Sequence, residues 1–253
     1  MARRGKQVTA SREQAERDRE HTPAEAVELV KLLAHAKFDE SIEVHIRTGL
    51  NVRHADEQLR GTIALPNGLG RDVTIAVFAQ GDAAREAQQA GADFVGAEDL
   101  AKRVEEGFTD FDVAIATPDL MPLVGRLGRV LGPQGKMPNP KVGTVTTDVR
   151  KAVEEAKAGK VEYRTDRTGI VHLVIGKRSF ESRALLENYA AVLDEIIRAK
   201  PSVAKGRYLH SITFASTQGP GVKVDPSRTR DVVEEVPAPQ GDPGTLGAGR
   251  QAA

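Results

Sequence analysis

The strand pattern of this chain changes character twice, and that change limits what it can fold into. Ile42, Val44 and Ile46 alternate with Glu43, His45 and Arg47, the period-two pattern of a strand with one wet face. Val73 to Phe78 is instead apolar apart from Thr74, as expected where both faces of a parallel sheet are covered. After Gly159 the pattern becomes antiparallel-like again, with strands at Val161 to Arg164 and Ile170 to Ile175. The fold class expected is therefore α/β (α+β), with two styles of sheet. The 253 residues leave room for about 1.7 domains at roughly 150 residues each.

The segments between these strands carry their own signals. Thr22-Pro23-Ala24-Glu25 has the composition of a capping box with Pro at the first helical position, and opens a helix to about Ala36. A second strand is expected near Gly61 to Leu65, closed by Pro66-Asn67-Gly68. The middle reads as helix 82–90, a short strand at Phe94-Val95, helix 98–106, a strand at Val113 to Ala116 and helix 148–158. Strand–helix alternation at this spacing predicts a small parallel α/β domain. A helix runs from Ser182 to Pro201, and a last strand covers Leu209 to Phe214. Residues 1–20, with six Arg/Lys, four Asp/Glu and few apolar side chains, read as a flexible basic arm. Residues 231–253 read as a disordered acidic tail rich in Pro and Gly.

Composition removes several kinds of chemistry. There is no cysteine, so disulfides, thiol nucleophiles and zinc fingers are excluded, which fits a reducing compartment but does not require one. No apolar run approaches the length of a membrane span, and the polar start does not resemble a secretory signal. The six histidines (His21, His35, His45, His54, His172 and His210) lack zinc-helix spacing and read as surface or half-buried residues. No cofactor is expected. Gly68-Leu69-Gly70 precedes its strand instead of following it, so it is no dinucleotide fingerprint. Gly135-Lys136 ends like a phosphate loop, but Val130 stands at the required first Gly and Met137 at the hydroxyl.

The zero net charge conceals a pattern. Residues 68–159 carry 11 basic and 14 acidic side chains, whereas 160–230 carry 13 and 7. Within the middle, Gly125 to Thr147 holds Arg126, Arg129, Lys136 and Lys141 and no acid. Leu131 to Thr144, with three Pro and three Gly, reads as a shaped loop with Lys136 and Lys141 projecting, suited to a phosphate backbone. The plainer reading is a loop that closes the parallel domain. A metabolite enzyme using Gly125–Thr144 for a phosphate is the alternative, but no nucleophile–base pair or metal cluster accompanies it.

That string, LGPQGKMPNPKVGT, with ATPDLM before it, resembles the ribosomal protein L-one family of the large-subunit stalk, bacterial type. AKFDESIEVHIRTGL, RGTIALPNGLG, GKVEYRTDRTGIVHLVIGKRSF and ASTQGPGVKVD agree in the same order, over about residues 20–228. The resemblance implies a discontinuous RNA-binding domain, 21–67 with 160–230, and an inserted Rossmann-like domain over 68–159. It implies no enzymatic activity, a cytoplasmic place on the ribosome, and large-subunit ribosomal RNA as partner. It also implies passage of deacylated tRNA from the exit site, repression of the protein's own messenger RNA, and a monomer off the ribosome. Carried over by position, the family's RNA contacts fall at Lys37, Phe38, Thr217, Gln218 and Gly219. The family usually has Met where Gln218 stands. Arg164, His172 and Lys177 lie in matching stretches.

Overall fold

The protein is described here by a computed structural model covering residues 6–16 and 18–228. The described residues open with helix α1 (Lys6–Gln14), inside the segment where a flexible arm is expected. Ala15 behind it is 3% exposed and joins the first core. One seated alanine is too small a signal for an apolar count to register. The expected tail, 231–253, lies outside the described residues.

Helix α2 (Pro23–Leu33) begins with the capping box expected: the Glu25 N–H donates to Thr22 Oγ1 and the Thr22 N–H to Glu25 Oε2, both at 3.2 Å. It stops at Leu33, short of Ala36, where the Ala36 N–H donates to the Glu40 side chain at 2.7 Å. Strand β1 (Ser41–Thr48) follows, then β2 (Arg60–Ala64).

The chain then builds a parallel sheet from β3 (Ile75–Phe78), helix α3 (Gly81–Gln89), β4 (Phe94–Gly96), α4 (Glu98–Glu105) and β5 (Val113–Ala116). The strand order is β4-β3-β5. All four residues of β3 are buried because both faces are covered. Ala76 and Phe78 pack with Leu100 and Val104, while Ile75 and Val77 pack with Val149 and Val153 on the other side. The Gly125–Thr144 stretch is less of a loop than its composition predicts. It carries the end of α5 (Met121–Arg126), then α6 (Gly128–Leu131) and a 3-10 turn at Pro140–Val142. Val145 then bridges Ala116 in parallel, so the stretch does close this sheet.

Helix α7 (Val149–Lys157) leads back through β6 (Lys160–Arg164), which pairs antiparallel with β2 as a two-stranded ribbon. Gly159 has φ 92°, and a side chain there would meet Gly68 Cα at 2.9 Å. The outgoing and returning chains thus touch backbone to backbone. Strand β7 (Ile170–Lys177), helix α8 (Ser182–Arg198), β8 (Leu209–Ser216) and β9 (Val222–Val224) complete the fold. Three residues between Gly221 and Asp225 are too few for a periodic signal, so β9 is not legible in the sequence.

The second sheet runs β7-β1-β8-β9, antiparallel throughout. Its two outer partners of β1 come from the far end of the chain. Its inner residues, among them Ile42, Val44, Ile46, Ile212 and Phe214, form one core with α2 and α8. Tyr189 of α8 meets Phe214 edge-on, with centroids 4.8 Å apart. Asn188, fully buried, donates to the carbonyls of Gly68 and Ile175 and accepts from the Asn67 N–H at 3.0 Å. That amide fastens the chain leaving β2 to helix α8. His21 departs from the surface reading of the histidines: it is 6% exposed.

Candidate nucleic-acid interface

The Lys37–Phe38 segment and the Thr217–Gly219 turn, 180 positions apart, flank the same end of the four-stranded sheet. Ser41 starts β1 there, between the last residues of β7 and β8. The Ser41 N–H donates to Thr217 Oγ1 at 3.0 Å, and the Thr217 N–H donates to the Ser41 carbonyl at 3.1 Å. Lys37 is exposed, and Phe38 keeps 51% of its surface open. Of the ten Phe and Tyr, all among the described residues, it is the one that is exposed, the others being buried or half-buried.

Two carboxylates fix this segment, and sequence reasoning missed both. Glu40 has no exposed surface. It accepts the N–H of Ala36 at 2.7 Å and the N–H of Gln218 at 2.8 Å, so it joins the two motifs directly. Burial pushes its carboxyl up. Hydrogen bonds from Ala36, Gln218 and the Ser216 hydroxyl, with His35 nearby, outweigh that and hold it below the usual glutamate range. Asp39 accepts the N–H and hydroxyl of Ser179 at 3.0 and 2.7 Å, and the Arg178 N–H donates to the Glu40 carbonyl. Nothing in a sequence distinguishes a buried carboxylate such as Glu40 from an exposed one such as Asp39.

Each side chain at this end has a capacity left over. A hydroxyl has two acceptor sites; Thr217 spends one on Ser41 and is exposed. The Gln218 side chain is exposed while its backbone is held by Glu40. Gly219 is glycine for an internal reason: a side chain there would collide with Ser216 Oγ, to which its N–H donates at 3.1 Å. Lys177 belongs to the same end, with Nζ 2.9 Å from Ser41 Oγ.

The other expected residues lie elsewhere. His172 stands on the outer face of the same sheet, opposite His45. Arg164, exposed at the end of β6, borders a groove shared with His172, Arg53 and Arg167. Arg126, Arg129 and Lys141 are exposed on the parallel-sheet body. Lys136 does not project as expected. Its Nζ donates to the Thr109 carbonyl at 2.9 Å and lies 5.4 Å from the Phe111 ring centre. The apolar residues around the loop turn that stem inward, and the ammonium finds a carbonyl there. Among the described residues no group of three or more His, Asp or Glu is placed to hold a metal.

The sequence pattern of the ribosomal protein L1p/L10e family matches residues 30–220. The chain belongs to that family. It is 57% identical over 228 residues to the large ribosomal subunit protein uL1 of Rubrobacter xylanophilus, covering 90% of this chain and 99% of that one. It is 53% identical over 232 residues to the protein of the same name from Thermobifida fusca, covering 92% and 99%. A member of the L1p/L10e family is a structural constituent of the ribosome that binds ribosomal RNA, and is not an enzyme. The metabolite reading of Gly125–Thr144 is thereby set aside. No helix among the described residues is long and apolar enough to cross a membrane.

Proposed function

We propose that this protein grips large-subunit ribosomal RNA through one surface made of Lys37, Phe38, Thr217, Gln218 and Gly219. The observation that supports it most is the pair of hydrogen bonds from Ser41 to Thr217 and from Gln218 to Glu40. They set a cation, an open aromatic ring and a spare hydroxyl acceptor on a single rigid sheet end. Structured RNA is recognised through shape, ribose and phosphate, which needs such groups held in place. Lys177 and Arg164 with His172 extend the surface along the same body. On this reading 21–67 and 160–230 form the RNA-binding domain and 68–159 is an insertion. Arg126, Arg129 and Lys141 on the insertion face a second nucleic acid.

Two further roles fit this surface. A messenger segment folded like the ribosomal site presents the same ribose and phosphate pattern, so the protein represses translation of its own messenger RNA. The insertion is joined through the β2–β6 ribbon, with the outgoing and returning chains in contact at Gly68 and Gly159, and on this reading it swings with the stalk as deacylated tRNA leaves the exit site. The protein works in the cytoplasm, on the ribosome, and is a monomer when free.

The test is a double-mutant cycle. Phe38→Ala and Thr217→Ala should each weaken RNA binding by about 1–3 kcal/mol, the scale of one stacking or hydrogen-bond contact. Because both touch one RNA patch, their effects should not add. Single effects near zero, or strict additivity, would overturn the surface.

A further inference from the structure

On the outer face of the four-stranded sheet, His45 and His172 are register partners on β1 and β7. Their Nδ1 atoms are 2.9 Å apart, and the rings meet edge-on with centroids at 5.0 Å. The far nitrogens face carboxylates. His45 Nε2 lies 3.8 Å from Glu43, and His172 Nε2 lies 3.4 Å from Asp166. The row therefore reads carboxylate, imidazole, imidazole, carboxylate.

Counting protons along that row gives its preferred state. It has three places for an N–H: two at hydrogen-bond distance, between the rings and toward Asp166, and one facing Glu43 at ion-pair distance. Two neutral imidazoles bring only two N–H groups, and two imidazolium rings bring four, which sets two donors against each other at 2.9 Å. One added proton for the pair fills all three places. His172 then donates to His45 and to Asp166, and His45 points its own N–H at Glu43. Asp166 suits that role: burial opposes its charge, but hydrogen bonds from the Ile170 N–H and from Thr168 hold it at about 2. His45, lowered by burial and by the charge of His172, suits the neutral partner.

The surrounding charges are mixed. Arg47 lies on the same face of β1, and Lys223 of β9 follows Thr213 in the same cross-strand row. Arg53, Arg164 and Arg167 line the groove that His172 borders, with Arg60 and Glu162, which pair with each other at 2.8 Å. Strand β8 contributes only uncharged Ser211 and Thr213 beside the pair. The carboxylates favour the proton and the cations oppose it, so an arriving phosphodiester, by screening the cations, tips the balance toward uptake.

We propose that the His45–His172 pair makes the RNA grip of this face proton-linked: RNA binds the singly protonated pair, and affinity falls as the pair loses that proton. This rests on the outer body being the RNA-binding part. The experiment titrates the full chain with the large-subunit ribosomal RNA of its source organism at constant salt, from pH 6 to pH 8. One proton changes an association constant by at most about ten-fold per pH unit, and the wild type should lose about three- to ten-fold across the range. His45→Gln and His172→Gln should each flatten that profile. Histidine carbon-proton NMR signals of the wild type should titrate at higher pH with RNA bound than free. Variants with the wild-type profile, or histidines titrating identically in both states, overturn the proton link. Phe38→Ala and Thr217→Ala, run beside them, should weaken binding at every pH. If those two bind as the wild type does, the RNA surface itself fails. If they weaken but the histidine variants keep the wild-type slope, only the proton link fails.

Discussion

Removing the charge of Glu40 while keeping its shape isolates what the buried carboxylate does. In Glu40→Gln one oxygen still accepts an N–H, but the amide nitrogen faces the other, either that of Ala36 or that of Gln218. Hydrogen bonds to a charged group contribute about 1.5–3 kcal/mol each, and an unpaired buried donor costs about 1–3 kcal/mol. The expected destabilisation is therefore about 2–4 kcal/mol, and Glu40→Ala, which orphans both donors, should reach about 3–5 kcal/mol. The pH dependence gives a second reading. The folded carboxyl sits below its unfolded value, so its contribution is complete above about pH 4.3 and is lost as pH falls through the folded value. The gap in stability between wild type and Glu40→Gln should be constant near neutrality and shrink in acid, as pH falls below the ordinary glutamate value and through the lower folded one. Urea unfolding at a series of pH values measures this. RNA affinity should fall with it, since Gln218 and the Lys37–Phe38 segment lose their common anchor. A Gln variant as stable as the wild type at pH 7, or a gap that does not shrink in acid, would refute the clamp.

Lys37→Ala should weaken RNA binding and reduce the steepness with which affinity falls with salt, since each neutralised phosphate releases counterions; parallel slopes for the two proteins would remove a phosphate role. Joining Asn67 to Lys160 through a short linker should leave a folded, RNA-binding body, because the core of the outer residues is separate from the two clusters on the parallel sheet. Loss of specific binding by that shortened chain, shown folded by its thermal transition, would place an essential contact on the insertion.

How far the sequence can be read follows from where each signal resides. The capping box at Thr22 and the all-buried strand Ile75–Phe78 depend on neighbours within a few residues, and both are legible. The covering of that strand on both faces is what erased its alternation. Helix α1 and strand β9 depend on distant partners: Ala15 on the outer core, and Val222 to Val224 on β8. No local period announces either. The candidate site divides in the same way. Its outward groups were found through motifs, whereas Glu40, Asp39 and His45 acquire their roles only when β1 meets β7 and β8. Lys136 is the converse case, a residue legible as a cation whose direction was set by packing against Phe111.

Those two kinds of error share a cause, and it bears on how a chain with zero net charge can hold RNA. Formal charge counts every ionisable group alike, but a group acts on a polyanion only if its field reaches solvent. Glu40 directs its charge at the N–H groups of Ala36 and Gln218, a few residues from exposed Lys37. The buried acid nearest the proposed contact, Glu40, is thus compensated by backbone dipoles, while Lys37 stays open. The hydrogen bonds that spend the negative charge are also the ones that fix the loop. At this end of the sheet rigidity and effective positive charge therefore arise together, and substituting Glu40 changes both at once.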